Sequence, residues 1–68
     1  MVQEQVITEI SNVSRIQVRD WFRRYIGRVA CWDTDPKNRV ISYTLDNKEK
    51  GPKFIFKLNE AVYDSCYD

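Results

Sequence analysis

The sequence predicts a small α+β domain built from two helices, an antiparallel β-hairpin or three-stranded sheet, and a short C-terminal helix. Three observations predict it. Val18, Trp21, Phe22, Tyr25 and Val29 fall within about 100° of arc at helical spacing, which makes one apolar face. Residues 39–45 (RVISYTL) and 53–58 (KFIFKL) alternate apolar and polar on either side of a polar loop, the pattern of a hairpin. Upstream, Val2, Val6 and Ile10 stand four residues apart with Ile7 beside them, which is helical spacing again.

Each element has its own local signals. The first helix is expected over residues 3–11, since strict alternation fails at Val6-Ile7. Asn12 ends it, because asparagine tolerates the left-handed conformation. Ser14 is a good N-cap for a second helix from about Arg15 to Ile26, with Gly27 as its C-terminal stop. Residues 28–32 are β-prone, and 33–38 (DTDPKN) have turn chemistry around Pro36. The two strands follow, joined by residues 46–52 (DNKEKGP), with Phe54, Phe56 and Leu58 on one side of the second. Asn59 caps a last helix, EAVYDSC, whose Ala61, Val62 and Cys66 dock on the rest.

Bulk composition narrows the function classes. The 68 residues make one domain, with a modest core and marginal stability. With no histidine and only Cys31 and Cys66, a zinc site of about four ligands is out of reach. Two buried free thiols are the expectation for the cysteines, and a disulfide between them the alternative. A serine or cysteine nucleophile would lack its usual base. The acids form no close pair, and there is no glycine-rich phosphate loop, so neither catalysis nor a cofactor is expected. No run of about 18 apolar residues is present. The segment MVQEQ has no secretory character, which points to an intracellular, cytoplasmic protein.

The net charge of +1 says little, but its distribution says more. Residues 14–28 hold Arg15, Arg19, Arg23, Arg24 and Arg28 against Asp20, a local +4. Residues 48–57 hold Lys48, Lys50, Lys53 and Lys57 against Glu49, a local +3. The last ten residues carry Glu60, Asp64 and Asp68, a local −3. Two basic zones and an acidic tail suit one anion-facing side and one solvated side, although plain solubility explains any single zone.

The pattern Ile7-x-x-Ile10-x-Asn12-Val13-Ser14-x-x-x-Val18-x-x-Trp21-Phe22 resembles a helix-turn-helix. With Arg19 and Arg23, then Lys53-Phe54-Ile55-Phe56 and Ala61-Val62, it resembles the winged helix-turn-helix of phage excisionases and MerR-like proteins. Asn12 stands where that family most often has glycine and Thr8 where it prefers alanine, and residues 27–38 are longer than its usual connection.

The resemblance implies duplex DNA as the partner, bound by a transcriptional regulator or recombination accessory factor, as a homodimer or cooperative array. The second helix would enter the major groove by its N-terminal end. Ser14, Arg15, Arg19 and Arg24 would meet phosphates, and Ile16, Gln17, Asp20 and Arg23 base edges. Ile16 would meet a thymine methyl or else pack under the hairpin. Asp20 fits the groove poorly, unless it accepts from cytosine or pairs with a neighbouring arginine. Lys48, Lys50 and Lys53 would sit on the wing. The rival reading is a protein-binding module that uses its hairpin edge or its acidic tail. A small SH3-like barrel, with residues 15–28 as strand, conflicts with the helical apolar face.

Overall fold

The computed structural model describes residues 6–61. Strand β1 (Ile7–Val13) leads into α1 (Arg15–Tyr25), the one helix among the described residues, followed by β2 (Val29–Asp35), β3 (Val40–Leu45) and β4 (Lys53–Leu58). The strands form one mixed sheet in the order β1-β4-β3-β2. β2 is antiparallel to β3 and β3 to β4, whereas β1 is parallel to β4. β1 and β2 therefore run the same way along opposite edges, and α1 is the crossover that joins them.

The winged helix-turn-helix expectation is overturned. The segment expected to be a first helix is β1. Ile7, Thr8, Ile10 and Val13 are β-branched and lose side-chain freedom in a helix, whereas a pleated surface suits them. The deciding interaction is pairing with β4, from Ile7 opposite Lys53 to Val13 opposite Leu58. Its partner lies more than forty residues downstream, so no local period reveals it. Asn12 does take the left-handed conformation, at φ 61°, but as a bulge between Ser11 and Val13 near the end of a strand.

The second helix forms where its residues call for it. Ser14 Oγ accepts from the Gln17 amide at 3.2 Å, and Gln17 Oε1 accepts from the Ser14 amide at 2.8 Å. This reciprocal capping box satisfies two helix-start donors. Glu60 takes a third, accepting from the Arg15 amide at 2.7 Å. Ser14→Ala is expected to lower stability by about 1 kcal/mol, measured by urea denaturation. No change would mean that Glu60 alone secures this end. Gly27 does not adopt a positive φ. The helix instead ends at Ile26, and the Arg28 amide donates back to the Tyr25 carbonyl at 2.8 Å.

The apolar face of α1 packs on one side of the sheet, as its spacing predicts. Val18 is fully buried beside Val13, Ile41, Tyr43, Phe56 and Leu58, with Trp21, Phe22, Val29 and Phe54 at the margin. The Trp21 ring lies 5.0 Å from Tyr43, 4.8 Å from Phe54 and 5.2 Å from Phe56, centroid to centroid. Phe22 lies 5.4 Å from Tyr43 and meets Trp32 edge-on at 6.3 Å. The aromatic set is thus core, and offset or edge-on contacts of this kind add to area burial.

The expected hairpin is present, but β3 and β4 are the two central strands rather than a projecting wing. Its own edges are covered, so it has no free edge for a partner. The expected C-terminal helix is not seen at its start: Asn59 and Glu60 form a bend and Ala61 is irregular. The rest of that segment, Val62 and Cys66 included, lies outside the described residues. Cys31 is half-buried. No helix among the described residues is long and apolar enough to cross a membrane.

Candidate functional site

The outward half of α1 carries most of the residues expected to touch DNA. Arg15, Arg19 and Arg23 stand four residues apart and share one stripe, with Arg24 on the adjoining flank. Arg23 and Arg24 are exposed, whereas Arg15 and Arg19 are half-buried with their Nε atoms inside. Such side chains lay their stems along apolar surface and keep the charged head near water. Ile16, at 69 % exposure, sits at the crest between them, which removes the alternative that it packs under the hairpin.

Asp20 finds a local explanation: its Oδ1 lies 3.7 Å from Arg23 Nη1, one helical turn away. The pair is exposed, so it steers the arginine more than it stabilises the fold. Ser14 Oγ and Gln17 Oε1 are engaged in the cap, and Gln17 keeps its Nε2 for other partners.

The lysines expected on the wing are not gathered with the start of α1. The first turn of α1 lies at the Glu60 end of the sheet, and the residues just after its last turn at the Asp46 end. Arg28 shows the latter, donating to Asp46 Oδ1 at 2.9 Å and Oδ2 at 2.6 Å. Lys48 and Lys50, on the loop after Asp46, therefore lie toward the last turn of α1, which carries Arg23 and Arg24, and at the end away from Ser14 and Ile16. Lys53 is adjacent to Phe54, which packs under α1, so Lys53 faces the opposite side of the sheet. Its neighbour on that side, Lys57, pairs with Glu9 at 2.6 Å.

The electrostatics at the loop end are local. The Arg28 guanidinium, hydrogen-bonded to Asp46, holds that carboxyl below the usual carboxylate range and is itself pushed up. At the other end, hydrogen bonds from Asn38 hold the Asp35 carboxyl down, the Asn38 side chain donating at 2.7 Å and its amide at 3.2 Å. Both acids are therefore tied to turn structure.

A second feature escaped the sequence reading. A groove of about 290 Å³ runs between α1 and β1, lined by Ile10, Val13, Trp21 and Phe56 with Gln17, Asp20 and Arg24 on its rim. Ile10 was expected on a helix, and only its place on an edge strand brings it here. The signal available in the sequence was its flanking β-branched residues. Among the described residues, no group of three or more acidic or thiol side chains is placed to hold a metal.

The chain matches no protein-family model, and neither a curated protein nor a solved structure matches it.

Proposed function

We propose that the domain binds duplex DNA through the outward face of α1, as a small regulatory or recombination accessory factor of the cytoplasm. The observation that carries this reading is the arginine stripe. Arg23 and Arg24 are exposed on the outward side of one helix, Arg15 and Arg19 flank it half-buried, and the only carboxylate on the helix is paired with Arg23. A helix that stands proud of a sheet fits the major groove, where guanidinium groups meet phosphates or guanine edges. Ile16, exposed at the crest, suits a thymine methyl. The contact is made by α1, with no helix before it among the described residues and no projecting wing, so the reading rests on α1 rather than on Lys48, Lys50 or Lys53. A single small module of this kind binds weakly, and a dimer or array on repeated sites would raise the affinity.

The test is fluorescence anisotropy with a pooled random 20-base-pair duplex across a salt series. Replacing both Arg23 and Arg24 with alanine should weaken binding and flatten the slope of log affinity against log salt by about 0.9, the share of the one phosphate contact that Arg24 makes. Lys48→Ala with Lys50→Ala should leave the slope unchanged. An unchanged slope in the arginine variant, or no binding at low salt, ends this reading.

A further inference from the structure

We infer that β1 and α1 together form a peptide-binding groove, in which an extended acidic and apolar segment of another protein adds a strand to the outer edge of β1. The inference does not rest on DNA binding. β1 is an edge strand, and among the described residues no strand pairs with its outer side. The Lys53 amide donates to the Val6 carbonyl at 2.6 Å, and the parallel register sets Ile7 opposite Lys53. In a parallel ladder this turns the backbone N–H and C=O groups of Ile7, Glu9 and Ser11 outward, free to pair with an incoming strand.

The groove lies directly beside that edge. Trp21 and Phe22 centre α1 over β3 and β4, which leaves the same side of β1 uncovered and Ile10 at 36 % exposure. A strand added to β1 would place alternate side chains over Ile10 and toward Trp21, at the mouth of a groove whose floor is Val13 and Phe56. The volume of about 290 Å³ sits at the floor of the range for small-molecule pockets and suits one or two large apolar side chains. Charge selects the neighbour. Asp20 leans toward Arg23, whereas Arg24 is exposed on the rim with no acidic partner among the described residues. A carboxylate next to the apolar anchor complements it. The opposite edge is guarded: β2 carries Asp33 and Asp35, a register shift next to Val29, and Pro36 just beyond it.

Random decapeptides displayed on phage, selected against the full chain, test this. Enriched peptides should alternate large apolar residues and carry an aspartate or glutamate. Labelled copies of the enriched peptides should bind Ile10→Lys at least tenfold more weakly, and a proline in the peptide's central pairing position should abolish binding. Arg24→Glu should weaken acidic peptides and restore affinity for versions with lysine in place of the acid. Ile10→Lys should retain its circular dichroism spectrum and its DNA affinity, which separates failure of this inference from failure of the DNA reading. No enrichment, or enriched peptides that bind Ile10→Lys equally well, overturns it. So does a dimer in sedimentation equilibrium that Ile10→Lys disperses, because a second copy would then occupy the edge.

Discussion

Tyr43→Ala is expected to lower stability by about 3–5 kcal/mol. Tyr43 is fully buried on a central strand, with Trp21, Phe22 and Phe56 around its ring at 5.0, 5.4 and 6.1 Å. It stands opposite Trp32 of β2 and Phe54 of β4, so its ring joins the helix to three strands. Truncation leaves a cavity beside the rings of Trp21, Phe22 and Phe56, which cannot readily collapse into it. At about 0.05–0.15 kcal/mol per residue, a 68-residue domain has roughly 3–10 kcal/mol in total. The variant should therefore be largely unfolded or melt far below the parent, as read by urea denaturation with tryptophan fluorescence and far-ultraviolet dichroism together. Tyr43→Phe, which keeps the ring, should lose much less. A loss under about 1 kcal/mol for Tyr43→Ala would show that the helix does not seat on β3.

Gly51→Ala is expected to be nearly as damaging, for a reason unrelated to hydrophobic burial. A Cβ at Gly51 would overlap the carbonyl oxygen of Leu45 and lie 2.8 Å from both N and O of Asn47. All three atoms are backbone, so no side chain can swing away. The loop around it is closely tied: the Leu45 amide donates to the Pro52 carbonyl at 2.9 Å and the Gly51 amide to the Asn47 carbonyl at 2.8 Å. Asn47 Oδ1 accepts from the Glu49 and Lys50 amides at 2.9 and 3.2 Å. Making room must break part of this set and pull apart the start of the β3–β4 hairpin. The cost should reach the upper end of the 1–3 kcal/mol typical of overpacking, about 3 kcal/mol. Gly27→Ala is the control, because nothing lies within 4 Å of a Cβ there. Equal melting temperatures for the two variants would mean that the loop adapts and that the close approach is not needed.

Much of the molecule is legible in local pattern. Ser14, the apolar face of α1 and both hairpin strands each satisfy their own short-range rules and stand within about two residues of their expected places, whereas the turn around Pro36 begins three residues later than expected because β2 runs on to Asp35. The error lay in a stretch where two rules compete. Val6, Ile7 and Ile10 fit a helical period, yet Ile7, Thr8, Ile10 and Val13 are β-branched, and nothing nearby arbitrates. The resemblance to a helix-turn-helix depends on the helical reading of that stretch, because Asn12 and Ser14 suit a turn after either kind of element.

The candidate sites divide along the same line. The arginine stripe could be read from spacing alone, since any helix over residues 15–25 puts Arg15, Arg19 and Arg23 on one side. Where Lys48, Lys50 and Lys53 stand relative to that stripe could not, because it depends on which way α1 runs over the sheet. The groove could not be read either: it exists only because β1 pairs with β4 and a single helix fails to cover it.

By itself, then, the sequence determined one amphipathic helix, a capped helix start, a hairpin, and an outward face rich in arginine. All of these depend on contacts between residues a few positions apart. Only the tertiary structure decided that residues 7–13 are a strand, that the hairpin is the centre of the sheet, and that Ile10 lines a groove under α1. Those outcomes depend on a parallel pairing across more than forty residues. Such a pairing is closed by backbone groups that every residue but proline possesses, so β-branched residues can mark a strand but cannot say which distant segment pairs with it.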